Sequence, residues 1–271
     1  MTHRLLRLFG ISAAMLVVSG SAWATSATPS GELNMAWTNC SVDAGTSDKA
    51  FACNTNNGSA TLVLSFTAPT APPIDSLSGA EAYVDLISAS SPLSQWWSMF
   101  NSGTCRQSAL TGNATIPGSA ANCFDAWNAQ AGVAGVAAYT IGALSNDAVA
   151  GNLPGVNSGN IAQVACIDIG AAVPPSQLQQ LQGGQEYFVF NVKVAYTGTV
   201  GGACAGCSDP VCLSFSHLRI SQPVGIGDWW ITTPGPSQTG MNVTWQGGAG
   251  ANCSAVPTKT KTWGALKSMY R

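Results

Sequence analysis

The sequence predicts a mostly β fold: an antiparallel β-sandwich, immunoglobulin-like or jelly-roll-like, with a few short helices and long disulfide-linked loops. Three observations point there. Short segments alternate apolar and polar residues, Gly, Pro, Asn and Ser cluster between them, and nine cysteines are spread through 271 residues. Period-two alternation puts one row of side chains in a core and the other in water, as a half-buried strand requires. The layout read from the chain is a cleaved leader over 1–24, a single sandwich domain over 25–256, and a basic tail over 257–271.

The leader comes first. His3, Arg4 and Arg7 form a basic start, residues 8–18 an apolar run, and Ala22, Trp23 and Ala24 a small-x-small cleavage pattern. The run is too short to cross a bilayer as a helix, and no later apolar stretch is longer. The expectation is an exported protein without a transmembrane segment, beginning at Thr25 and found outside the cell, on its surface or in a periplasm. The first cysteine, Cys40, is far from the cleavage point, which argues against a lipid anchor. The brevity of the leader points to a bacterium.

Six strands stand out. Residues 61–66 put Leu62, Leu64 and Phe66 on one face; residues 80–87 turn Ala82, Val84 and Leu86 inward and Glu81 and Asp85 outward. Residues 161–169 and 241–245 read as strands, and 187–196 gives the cleanest alternation, with Phe188, Phe190, Val192 and Val194 on its buried face. In 211–220 the inward set Val211, Leu213 and Phe215 changes parity to Leu218 and Ile220, which implies a β-bulge or a crossing between sheets. Helices are expected over 92–100 (N-cap Ser91), 119–130 and 175–182, with Gly183 and Gly184 as the stop. Leu181, Gly184 and Tyr187 repeat the spacing of a tyrosine corner, whose hydroxyl bonds back to the preceding turn. In the tail, Trp263, Leu266 and Met269 or Tyr270 recur at helical spacing and predict a short amphipathic helix.

Charged residues make up 8% of the chain, against about 25% in ordinary globular proteins. All twelve acids lie between Glu32 and Asp228, while the tail carries Lys259, Lys261, Lys267 and Arg271. An acidic body excludes nucleic acid as a partner.

In an oxidising compartment Cys40, Cys53, Cys105, Cys123, Cys166, Cys204, Cys207, Cys212 and Cys253 are disulfide candidates. Cys40 with Cys53 and Cys105 with Cys123 close short loops and are the expected pairs. Two of Cys204, Cys207 and Cys212 are expected to pair together or with Cys166 or Cys253. An odd total leaves one thiol over, or paired between molecules. The loop 201–212 (GGACAGCSDPVC) is no c-type haem site, because Ser208 rather than His follows Cys207. A thioredoxin-like motif belongs at a helix N-terminus beside a βαβ unit, which this loop between strands is not. Zinc would need an all-thiolate cluster, since His217 is the only His after cleavage, and export oxidises thiolates first.

The strings 34–40 (NMAWTNC), 51–56 (FACNTN), 103–106 (GTCR), 121–125 (ANCFD), 185–188 (QEYF), 203–207 (ACAGC), 210–212 (PVC), 245–248 (WQGG) and 262–271 (TWGALKSMYR) resemble an uncharacterised family of predicted secreted, cysteine-containing bacterial proteins. The resemblance runs over nearly the whole chain after the leader. It implies export and a shared fold, and it assigns no activity and no catalytic residue.

No catalytic or cofactor signature is present. A Ser-His-Asp arrangement must centre on His217, yet no Gly-x-Ser-x-Gly elbow marks a serine. Glu81 and Asp85 lie about 13 Å apart along one strand, too far for a retaining carboxylate pair; convergence of Asp125, Asp168 and Glu186 needs the fold. The expected reading of these acids is a solvated strand face. Segments 43–48 and 54–58 offer oxygen ligands for a structural calcium, though not at EF-hand spacing. Tryptophan is abundant, and in each adjacent pair, Trp96 with Trp97 and Trp229 with Trp230, one ring is expected to face outward. An exposed indole stacks on a sugar ring or anchors a protein partner. The expected function is a secreted or cell-surface sandwich that acts by binding or as structural material. A carbohydrate-binding module with a Trp platform is the alternative, and a secreted hydrolase the second. The partners considered are a carbohydrate or a surface protein.

Overall fold

The computed structural model describes residues 31–88, 92–118, 123–130, 132–145, 162–202, 204–232, 240–247 and 253. The leader, the basic tail and Ser91 lie outside the described residues. Fourteen strands follow in order among those described: β1 (Glu32–Trp37), β2 (Asp48–Lys49), β3 (Ser59–Thr67), β4 (Ile74–Leu77), β5 (Gly79–Ser88), β6 (Leu110–Asn113), β7 (Phe124–Asp125), β8 (Val133–Ile141), β9 (Val164–Ala172), β10 (Gln179–Leu181), β11 (Glu186–Ala195), β12 (Val211–Ser221), β13 (Trp229–Ile231) and β14 (Asn242–Trp245).

They form a sandwich. The smaller sheet runs β1-β3-β11-β6, with β7 also on β11. The larger runs β2-β14-β12-β5-β9-β8, with β13 also on β12, and β4 and β10 make a separate ribbon. Leu62, Leu64, Phe190 and Val192 of the smaller sheet meet Ala82, Val84, Ile167, Leu213 and Phe215 of the larger in one core. Alternation explains why these segments are strands: each buries one row of β-branched and aromatic side chains while its backbone pairs sideways.

The parity change in β12 is a bulge between Phe215 and His217, after which Leu218 and Ile220 return to the core. The extra residue leaves Ser216 and His217 both turned away from that core. At the other sheet, the Gln182 amide donates to the Tyr187 hydroxyl at 2.7 Å, the bond expected of a tyrosine corner.

Among the described residues the three internal helices do not form. Segments 92–100 and 175–182 hold 3-10 turns instead, at Gln95–Trp97 and Pro175–Gln177, and the latter runs into β10. Segment 123–130 is β7 followed by turns, whose Trp127 and Ala129 amides are taken by Asp125. Pairing with β4 and β11 captures backbone that local sequence alone would coil.

The expected short-loop disulfides are also replaced. The bonds are Cys40–Cys123, Cys53–Cys207, Cys105–Cys204 and Cys212–Cys253. Cys40 follows β1 in the smaller sheet, but the chain then crosses to lay β2 on β14 in the larger, so Cys40 and Cys53 separate. Cys123 precedes β7, which pairs at the start of β11, whereas Arg106, beside Cys105, binds the Ala195 carbonyl at its end. A ten-residue strand holds these points about 30 Å apart. Cys166, on β9, is buried and stands outside the four disulfides. Four disulfides fit an extracellular or periplasmic protein. Among the described residues, no helix is long and apolar enough to cross a membrane.

Candidate functional site

The outer face of the larger sheet carries most of the chemistry. Its inward residues are spent on the core, so its outward ones fall into rows set by strand register. One row reads Trp230, Arg219, Glu81, Gly170 and Gly135, across β13, β12, β5, β9 and β8. The next reads His217, Tyr83, Asp168 and Ala138. A third reads Ser214, Asp85, Cys166 and Thr140.

In the first row Arg219 is the hub. It donates to Asp228 from Nε at 2.8 Å and from Nη2 at 2.5 Å, lies 3.6 Å from Glu81, and sits 5.8 Å from the Trp230 ring centre. These carboxylates hold its guanidinium above the usual arginine range. Gly170 and Gly135 continue the row as a bare ledge: a Cβ on Gly135 would meet nothing within 4 Å, and one on Gly170 only the Ala80 carbonyl at 3.7 Å. Five strands span about 19 Å from Trp230 to Gly135.

The second row is partly sunk. Tyr83 is buried, packs edge-on to His217 at 6.5 Å between ring centres, and its phenol is held protonated well above its ordinary range, by burial first and by Glu81 and Asp168 after it. Asp168 is half-buried, with Oδ1 shut from solvent and lacking a hydrogen-bond partner. Burial, and then the charge of Glu81, push its carboxyl up to about 6. Asp168 is diagonal to Glu81 in the register, a separation of about 7–8 Å between backbones.

That raised value sets a pH dependence. A carboxyl whose folded pKa lies above its unfolded value of about 4 adds stability below that value and loses it as pH rises through the folded pKa. Wild type is therefore expected to lose stability between about pH 4 and pH 6 relative to Asp168→Asn, and to run parallel above. Urea midpoints measured across that range check this; parallel curves throughout would contradict it.

The third row is roofed. Asp85 is buried and accepts from the Ser145 amide at 2.6 Å, the Ser145 hydroxyl at 2.7 Å and the Ser216 hydroxyl at 2.5 Å. Ser145 Oγ lies 3.2 Å from His217 Nδ1. Burial pushes Asp85 up despite these donors, and burial pushes His217 down despite Asp85. The serine that sequence could not single out is thus Ser145, but the order is wrong for a triad. A catalytic imidazole lies between carboxylate and hydroxyl; here the hydroxyl lies between carboxylate and imidazole, its proton committed to Asp85. Ser145 is also 1% exposed. The cluster pins the segment after β8 onto the sheet, with Leu144 packed on Ile87 and Val164. Asp85 is consequently not the solvated acid its strand position predicts.

The other expected residues disperse. Asp125 caps its turn, and Glu186 accepts from the Ser41 and Val42 amides and the Ser65 hydroxyl within the smaller sheet, so neither meets Asp168. In the calcium segments, Asp48 accepts from the Thr244 hydroxyl and Asn56 exchanges two hydrogen bonds with Val200. Among the described residues no group of three or more acids, thiols or imidazoles is placed to hold a metal. Trp96 and Trp97 are both buried, against the expectation that one faces out. They sit in a 3-10 turn, which does not alternate sides as a strand does, and Arg106 covers Trp96 at 3.6 Å. Trp229 packs on the core while Trp230, its strand neighbour, is half-exposed on the outer face. Sequence reasoning missed Arg219 and the two glycines; the outward parity of Glu81 in β5 was the available signal for that row. Comparison with protein families, with curated proteins and with solved structures finds no match to this chain.

Proposed function

We propose that this chain is a secreted or cell-surface protein that acts by binding, and that its ligand is a saccharide laid across the strands on the outer face of the larger sheet. The observation that carries this is the row from Trp230 to Gly135. An indole, a guanidinium and a carboxylate stand at one end of an open glycine ledge. An indole stacks on the apolar face of a sugar ring, and the charged pair exchanges hydrogen bonds with hydroxyls.

Affinity electrophoresis against a panel of soluble polysaccharides tests it. At least one is expected to retard the protein. Trp230→Ala should weaken binding at least tenfold, about 1.4 kcal/mol, and Gly135→Leu should obstruct the ledge, both with little change in unfolding temperature. Absence of retardation by any polysaccharide, or retardation indifferent to both substitutions, would sink the reading. A hydrolase is the second reading, favoured by Asp168 keeping its proton to about 6 diagonally across from Glu81. It predicts that reducing ends accumulate with the bound polysaccharide and that Asp168→Asn stops them.

A further inference from the structure

Sheet edges invite other strands, and three of the four main edges here are covered or short. The β1 edge is covered, since Met35 donates to the Gly240 carbonyl at 2.5 Å and Trp37 to that of Thr46 at 2.9 Å. The β6 strand spans only Leu110–Asn113. On the larger sheet, β2 is two residues long and both are charged, Asp48 and Lys49.

The fourth edge, β8, is different. It runs nine residues, Val133–Ile141, and no charged residue lies between Asp125 and Asp147. It contains no Pro, and Val133 is 78% exposed. Its bulge between Val136 and Ala138 bends the strand, and Asn101 donates to the Tyr139 carbonyl at 2.8 Å, so the far end is partly occupied. Residues 133–136, ahead of the bulge, form the regular stretch that pairs only with β9 among the described residues.

We infer that β8 is an association edge, and that its partner is β8 of a second copy of this chain. Recognition of a foreign strand takes side-chain pockets or charges beside the edge. Ala134, Gly135, Ala137 and Ala138 make no such pockets. A two-fold antiparallel pair instead sets each position against another position of the same strand, which requires that the strand bring no like charges opposite each other. An uncharged strand of small residues meets that condition, and pairing covers Val133 and joins the two larger sheets edge to edge.

Sedimentation of the intact processed protein over a range of concentrations tests this. Wild type is expected to shift from monomer to dimer mass, with amides of 133–136 more slowly exchanging in the dimer. Val133→Lys and Ala137→Lys should each raise the dimer dissociation constant at least tenfold without lowering the unfolding temperature. If the lysine at 137 disturbs the bulge, seen as a lower unfolding temperature, the exposed position 133 decides alone. A wild type that stays monomeric, a dimer indifferent to the lysine at 133, or an open ladder of larger assemblies overturns the inference.

Discussion

Replacement of Cys53 and Cys207 together by alanine is expected to cost about 5 kcal/mol, the largest effect of any crosslink here. The two are 154 positions apart, so their bond removes more freedom from the unfolded chain than Cys212–Cys253, separated by 41, which is expected to contribute about 4 kcal/mol. The bond also ties the Phe51 segment to the loop beneath Trp245, where Gln246 donates to the carbonyls of Phe51 at 3.1 Å and of Cys207 at 3.1 Å. Guanidinium denaturation without reductant measures the loss. Peptide mapping should join the Cys53 fragment to the Cys207 fragment, and a Cys40–Cys53 link in its place would overturn the connectivity.

Trp245→Ala is expected to destabilise by about 4–5 kcal/mol, lowering the unfolding temperature by roughly 10–15 °C. Trp245 is fully buried and stacks on Phe51 at 4.0 Å between ring centres. It also meets Trp96 at 4.7 Å, Trp97 at 5.5 Å and Trp37 at 5.9 Å. Its Nε1–H donates to the Cys207 carbonyl at 2.7 Å, so truncation leaves a large cavity and strips that carbonyl of one of its two donors, Gln246 being the other. Thermal unfolding followed by near-ultraviolet circular dichroism reads the change. A shift of only a few degrees would mean that the aromatic cluster collapses around the gap.

The strands with large inward side chains were legible because burial forces their alternation: β3, β5, β11 and β12 lie within a residue or two of where the pattern places them. The bulge at Phe215 was legible for the same reason, as a change of parity. The β8 strand was not, because Ala and Gly mark no face. The disulfides were misread because short spacing speaks of loop closure, while the actual pairs follow from which sheet each strand joins. The outer face was legible only in part. Glu81 and Asp85 point outward together, yet one lies beside Arg219 and the other beneath Ser145, and that difference arises from a segment far away in sequence.

The crosslinks interleave, and this has a consequence for how the chain comes into being. Cys40, Cys53 and Cys105 all precede the partners they need, at Cys123, Cys207 and Cys204. A polypeptide emerging N-terminus first can close only the bond to Cys123 before the 204–207 loop arrives. Until β11 emerges, just ahead of that loop, β3 also lacks its second neighbour in the smaller sheet. Maturation is therefore a late, concerted event: the nascent chain must be kept from oxidising the wrong thiols over most of its length. Products cut short before residue 204 would be fodder for proteases rather than smaller working versions of the whole.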